Sequence, residues 1–505
     1  MKTKSHESRS GNTDVEEAGQ NPHSSEKDHI IQKDCPNEES ATDNAVADPN
    51  IVDWDGPEDP ANPRNWSKGR KMLHIILISL SVLYSNIATT TFAPGASELA
   101  AEFGVTNNIV ATLAVTIPSL GASTGPLLFA PLSEVAGRLP IYWASSILYL
   151  GCTIGCARST DTAMFLVFRF LCGASAASFL TSSGGTIADL LPKEERGAAT
   201  AMFTAGPLLG PVLGPIIGGF VTQALGWRWT FYLVLIFAGI VTAIAMATMR
   251  ETNSTTLLAS KAARLRKQTG NSDLRPALAK QVQPRQLIVR ALIRPLRMLC
   301  LSPIVLPMGL YTALTFGMTF LLFATFPSVF RVTYGWSVSV SGLAYLGVGV
   351  GCVIGLILFA SLSDKLVGKD GGPERRLQLM IWIGPSVSIG IFWYGWTTEY
   401  AVQWMAPIIG TVFIGLGTLV ITSSTQLYMI DMFGPQGAAS ALAAVTLVRN
   451  ASGTFLALAA NPLYDSLGLG WGNSVLGFII LAFAPLPVVF GKYGARLRER
   501  FPLKL

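Results

Sequence analysis

The sequence predicts an all-α membrane protein. It reads as twelve transmembrane helices in two pseudo-symmetric six-helix bundles, behind a disordered acidic N-terminal tail. Three observations carry this. Of 505 residues, 50% are hydrophobic and only 13% charged, with a mean hydropathy of +0.44, where an ordinary soluble domain is about a quarter charged. From Lys71 on, apolar runs follow one another, each of about 20 residues, the length that crosses a bilayer core of about 30 Å. Short elements of the first half recur in the second. This composition excludes a soluble enzyme, a disordered scaffold and a disulfide-stapled secreted protein.

The tail, residues 1–61, is rich in Ser, Asn, Asp and Glu and poor in aromatics, so it cannot bury enough apolar surface to fold. Residues 1–60 carry 5 Lys/Arg against 15 Asp/Glu, and the remainder 32 against 16. The overall charge of +6 is thus a sum of two unlike regions and implies no nucleic-acid partner. No apolar run precedes residue 62, so the first span is expected to serve as an uncleaved anchor. Residues 62–249 form a first bundle, with spans at 72–92, 110–130, 141–157, 164–187, 199–221 and 231–249. A basic linker loop occupies 250–297. The second bundle, 298–492, has spans at 304–322, 340–359, 377–396, 404–428, 438–459 and 474–490, and 493–505 is a short tail.

Orientation follows from loop arginines and lysines. Arg64, Lys68, Arg70 and Lys71 precede the first span, and the linker holds eleven bases against two acids. The opposite loops hold Arg158, Arg228 and Arg331. Both termini and the linker are therefore expected in the cytoplasm, which needs an even number of spans and so supports the count of twelve. The halves match at three places. Asp189 with Gly197-Ala198-Ala199-Thr200 recurs as Asp431 with Gly437-Ala438-Ala439-Ser440. Gly226-Trp227 recurs as Gly470-Trp471, and Leu132-Ser133-Glu134 as Leu362-Ser363-Asp364. Parallel six-span repeats place a binding site between the halves, near mid-membrane.

Several motifs carry chemistry. After the second span, Glu134, Gly137 and Arg138 make a hinge with a charge latch, in which Glu134 and Arg138 pair at i, i+4 if the turn stays helical. Arg169 lies inside the fourth span, where a charge costs about 2.5–3.5 kcal/mol on insertion scales and so faces a cavity or a partner. The fifth span reads Gly206-Pro207, Gly210-Pro211, Gly214-Pro215, Gly218-Gly219. Glycine every fourth residue bares one face for close helix packing, and the prolines remove helix hydrogen bonds. Arg449 is a second intramembrane arginine. Asn86, Gln426 and Tyr428 are polar groups that either bond between helices or face a cavity. No acid falls in the middle of a span, and the residues suggest no catalytic cluster, no metal site and no ATP-binding loop. A polycation would need anionic groups to offset its desolvation. Interior arginines without acids favour a neutral or anionic apolar compound.

Together these motifs resemble the major facilitator superfamily. The span-five repeat is similar to the antiporter motif of its twelve-span drug:proton efflux branch. Asn62-Pro63-Arg64-Asn65-Trp66-Ser67, Gly226-Trp227-Arg228-Trp229-Thr230-Phe231-Tyr232 and Tyr493-Gly494 resemble its fungal members. Leu139 and Cys172 depart from that pattern, replacing a second base and a frequent Gln. The resemblance implies a monomeric, cofactor-free efflux transporter in membrane lipid, exchanging a small-molecule drug, toxin or secondary metabolite for protons, with a polyamine transporter of the same fold as an alternative. Arg169, Asp189 and Arg449 would serve transport or proton coupling. Glu134, Gly137 and Arg138 would latch the cytoplasmic gate, the Gly-Pro face would seal the halves, and Asn86, Gln426 and Tyr428 would line the cavity. The same fold also serves nutrient uptake and non-transporting sensors. The plasma membrane is the expected location.

Overall fold

The computed structural model describes residues 50–192, 195–278, 284–367 and 372–500. The tail up to residue 49 lies outside the described residues. Twelve helices are long and apolar enough to cross a membrane. Spans 1 to 6 are Lys68–Glu102, Asn108–Val135, Arg138–Ala157, Thr162–Leu190, Met202–Leu225 and Arg228–Thr248. Spans 7 to 12 are Val305–Tyr334, Val338–Ser363, Pro373–Glu399, Met405–Gly434, Gly437–Leu458 and Ala460–Arg500. In lipid every backbone polar group must be satisfied within the chain, and continuous helices do this for apolar stretches of such length. Because the passes alternate, the chain enters span 1, crosses between spans 6 and 7 and leaves span 12 at one end of the bundle, here the linker end. The opposite end is the far end.

Two hydrophobic cores form, each from one half of the chain. One runs from Trp66 to Met249 and the other from Met298 to Phe490. In the first, Trp227 packs edge-on against Phe92, Phe103 and Phe165 at centroid distances of 5.7–5.9 Å. Span 7 runs well past the expected residue 322. Its last turns bury Phe323, Phe326 and Phe330 against Tyr345, Tyr394 and Trp336, so aromatic packing continues the helix where a length rule would stop it.

The structure departs from the sequence reading in the tail and the linker. Disorder is expected through residue 61, but the chain is folded from Asn50. Strand β1 (Ile51–Val52) pairs in parallel with β2 (Arg275–Pro276). Lys261 Nζ donates to the Asp53 carbonyl at 2.8 Å and to Asp55 Oδ1 at 2.6 Å. Asp59 accepts the N–H groups of Asp55 and Ala61 at 2.9 and 2.8 Å, which hold its carboxyl below the usual range. The linker itself carries helices Ser254–Thr269 and Pro284–Leu301. An acidic segment and a basic one, each poor at folding alone, fold on each other.

Candidate functional site

Span 5 has two working faces. On the first, glycine replaces a side chain where span 1 passes. A Cβ added at Gly210 would lie 2.4 Å from Asn86 Cβ, at Gly214 2.3 Å from Thr90 Oγ1, and at Gly218 1.9 Å from the Thr91 carbonyl oxygen. Gly206 meets the backbone of Val82 and Leu83 in the same way. This seam is internal to the first half, whereas the sequence reading has the Gly-Pro face seal the two halves. The second face does meet the other half. A Cβ at Gly219 would touch the Val338 and Ser339 carbonyls, Gly342 abuts the Pro215 carbonyl and Gly349 abuts Val212. Pro207 and Pro211 lie within the same unbroken helix, Arg196–Leu225.

The hydrogen bonds that join the halves among the described residues gather toward the far end. The Gln223 side-chain oxygen accepts from Ser339 N at 3.0 Å, and Arg331 donates to Ser97 Oγ at 3.1 Å. Between spans 2 and 11, Ser119 Oγ donates to the Asn450 carbonyl at 2.9 Å and Thr454 Oγ1 to the Thr116 carbonyl at 2.8 Å. Asn461 reaches Thr112 Oγ1 at 3.0 Å. The far end is therefore drawn together along three lines, spans 5 with 8, spans 1 with 7, and span 2 with span 11 and the start of span 12.

At the linker end each half carries the same triad. In the first, Arg138 Nε faces Asp189 Oδ2 at 3.4 Å and its Nη1 donates to Ser133 Oγ at 2.8 Å. In the second, Arg376 Nε faces Asp431 Oδ2 at 2.8 Å and Nη1 donates to Ser363 Oγ at 3.3 Å. Arg138 lies across bare backbone at Gly185, where a Cβ would come 2.4 Å from Nη2. The expected Glu134–Arg138 pair at i, i+4 is replaced by this geometry. Gly137 takes φ 99° and ψ 166°, which breaks the helix between the two residues and turns Arg138 toward span 4. Glu251, beyond span 6, then accepts the N–H groups of Arg138 and Leu139, both at 3.0 Å, and caps span 3. Arg376 and Glu251 were missed as site residues, although the Asp189/Asp431 and Ser133/Ser363 matches point to a second triad.

Arg169 is buried and holds its charge on main-chain carbonyls. It donates to Ala88 at 3.2 Å, Thr89 at 3.1 Å, Ala114 at 3.3 Å and Val115 at 3.2 Å. Two of these acceptors are orphans of the first helix, Lys68–Thr91, whose last four carbonyls lack intrahelical donors. A third is orphaned by Pro118, which has no N–H to offer Ala114 four residues back. The guanidinium also lies 5.5 Å from the Phe92 ring and 5.6 Å from the Phe231 ring. Its hydrogen bonds go to four carbonyls and none to a carboxylate. The geometry is that of a clamp joining spans 1, 2, 4 and 6, rather than of a group facing a proton site.

Arg449 is different. It stacks over Phe316 at 4.9 Å, and its buried Nε has no hydrogen-bond partner. Such a cation–π contact is worth about 0.5–2 kcal/mol, less than the insertion cost of the charge. Asn86 bonds back to the Val82 carbonyl at 2.8 Å and packs under Gly210, so it belongs to the span 1–span 5 seam. Gln426 is half-buried on span 10. Tyr428 is fully buried in the second core, its hydroxyl against Gly494 of span 12, and not in a space between the halves. Helix periodicity explains this: Tyr428 lies two positions from Gln426 and so on another face.

The second half does not copy the first everywhere. Gly226 (φ 85°) ends span 5's helix, and the residue in the same conformation is Gly468 (φ 73°), not the Gly470 expected from the sequence match. Trp227 is buried while Trp471 is 58% exposed, so that Gly-Trp match is not a structural equivalence.

Comparison with known proteins gives a consistent result. The family model described as Major Facilitator Superfamily matches residues 78–458. The "MFS transporter prlG" of a fungal species (strain NRRL 50135) is 58% identical over 470 residues, covering 92% of this chain and 99% of the relative. The "Trichosetin biosynthesis cluster MFS transporter" of Gibberella fujikuroi is 49% identical over 470 residues, 92% of each chain. Among solved structures, a D-xylose-proton symporter superposes with a TM-score of 0.63 at 16% identity, covering 83% of this chain and 97% of the symporter.

Proposed function

The chain belongs to the major facilitator superfamily, and we propose that it is a secondary active exporter of small, largely apolar organic compounds, working by proton antiport. Its substrate would be a fungal secondary metabolite or a similar drug or toxin. The observation that carries this reading is the asymmetry of the bundle. The halves are joined toward the far end, while each half keeps its own Ser-Arg-Asp triad at the linker end. A molecule so built can rock between two states around a central site. The substrate class is supported by interior arginines without interior acids, and by a relative named for a biosynthesis cluster. The basic linker supports a cytoplasmic linker end and cytoplasmic termini; the plasma membrane as location, a monomer, and residues 62–249 and 298–492 moving as its two bodies complete the proposal.

In this reading Arg138–Asp189 and Arg376–Asp431 are latches that hold each half's linker-end helices in one arrangement. Protonation of Asp189 would release Arg138 and let the first half change shape, which ties proton entry to gating. Arg169 keeps spans 1, 2 and 4 rigid while this happens. The test is flux in inverted plasma-membrane vesicles from an expressing yeast, with labelled apolar metabolites and drugs and with or without an imposed proton gradient. Gradient-driven accumulation, reduced in Asp189→Asn, is the expected result. No gradient-dependent flux of any compound from surface-expressed protein would refute export by antiport.

A further inference from the structure

We propose that Arg449 is an anion-binding residue, and that the transported molecule carries an acidic head group of carboxylate type on an apolar body. This rests on the exporter reading and narrows its substrate class. The two intramembrane arginines are treated in opposite ways. Arg169 has four carbonyl acceptors, two of them supplied by a helix end and a third by a proline. Arg449 stacks on Phe316, and its Nε is buried without an acceptor. A planar guanidinium whose face is covered and whose edge is unmet is the arrangement that a carboxylate fills with two parallel hydrogen bonds.

Its position suits a substrate. Arg449 precedes Asn450, whose carbonyl accepts Ser119 of the other half. Gly453, one turn further and on the same face of span 11, abuts Ser119, Phe316 and Phe320. Contacts between spans 2 and 11 continue from there to the far end, so Arg449 is at the inner margin of the closed seam. Phe316, Phe320 and Phe323 stack with neighbouring centroids at 4.8 and 5.8 Å; Phe320 and Phe323 are buried in the second core, and half-buried Phe316 supplies apolar surface beside the charge. The acids of the described spans lie at helix ends, where Asp189, Asp431, Glu102 and Glu374 are paired with Arg138, Arg376, Arg228 and Arg498. Among the described residues, none in the middle of a span supplies the counter-charge.

The test uses the purified full-length chain and three probes that share one apolar body: 2-naphthoate, its near-isostere 2-naphthamide, and 2-naphthylmethylammonium. Binding is measured by titration calorimetry, and unliganded stability by thermal unfolding. The expected result is naphthoate binding at least tenfold tighter than the amide, with the ammonium weakest. In Arg449→Gln that preference falls to about one while the unliganded melting temperature is unchanged or higher. Arg449→Lys keeps a reduced anion preference. A tenfold preference that survives in Arg449→Gln, equal binding of acid and amide to the native chain, or a marked loss of unliganded stability in both variants would each overturn the proposal. Gradient-driven flux without an anion preference would refute this site and leave export standing. An anion preference without flux would do the reverse.

Discussion

The seam between spans 1 and 5 makes a quantitative demand at Gly218. An alanine there would put its Cβ 1.9 Å from the Thr91 carbonyl oxygen, a backbone atom that cannot rotate away. To restore ordinary contact the helices must separate by about 1.5 Å, which loosens the packing on both sides of the seam. Overpacking of this kind costs about 1–3 kcal/mol. Gly151 and Gly239 are the internal controls: both are helical, and a Cβ at either meets nothing within 4 Å. Alanine there removes only glycine's conformational penalty, worth up to about 1 kcal/mol in favour of the variant. Thermal unfolding of the purified protein should thus move in opposite directions, down for Gly218→Ala and level or up for Gly151→Ala and Gly239→Ala. Flux should fall in the first alone. Equal melting temperatures for Gly218→Ala and the native chain would refute the close approach of these helices.

Other outcomes follow from the same geometry. Arg376→Gln and Asp431→Asn should show a coupling of about 1 kcal/mol in a double-mutant cycle read by unfolding, as fits a partly exposed pair, while strict additivity would deny the latch. Arg169→Met should destabilise by about 3 kcal/mol or more by stranding buried carbonyls. Pro118→Ala, which supplies Ala114 with a helical donor, should lessen that loss; a loss unchanged in the double variant would contradict the proline's role. The Asp59 carboxyl is held low by its N–H donors, so its stabilising effect is full above about pH 4 and fades as pH falls through the lower folded value. Hydrogen-exchange protection across residues 50–66, measured relative to the pH-dependent intrinsic rate, should fall in acid, and in Asp59→Asn it should be low already at neutral pH; a pH-independent native protection would contradict this.

The twelve spans were legible because lipid imposes one rule on every segment: enough apolar residues, all backbone groups bonded internally. Their ends were less so. Span 7 outlasts its hydropathy because aromatic partners from spans 8 and 9 hold its last turns, and no local window contains those partners. Arg169 was legible as costly, yet its acceptors were not, since they depend on a proline in span 2 and on where the first helix stops. The Glu134–Arg138 spacing misled because one glycine with positive φ removes the helical register that the spacing assumes. Repeat matching found Ser133/Ser363 and Asp189/Asp431, which do occupy equivalent places, and also Gly-Trp pairs that do not. Short matches carry no burial, and burial separates Trp227 from Trp471.

The pairing of β1 with β2 alters the length of the rope between the two bundles. Counted along the chain, the linker runs from Arg250 to Met298, where the second core begins. With Lys261 and residues 275–277 fastened to residues 50–55, the last point of the linker tied back toward the first span moves from Arg250 to Ala277. The acidic segment thus acts as a knot that keeps the halves close, and untying it should slacken their association without touching a single residue inside the membrane.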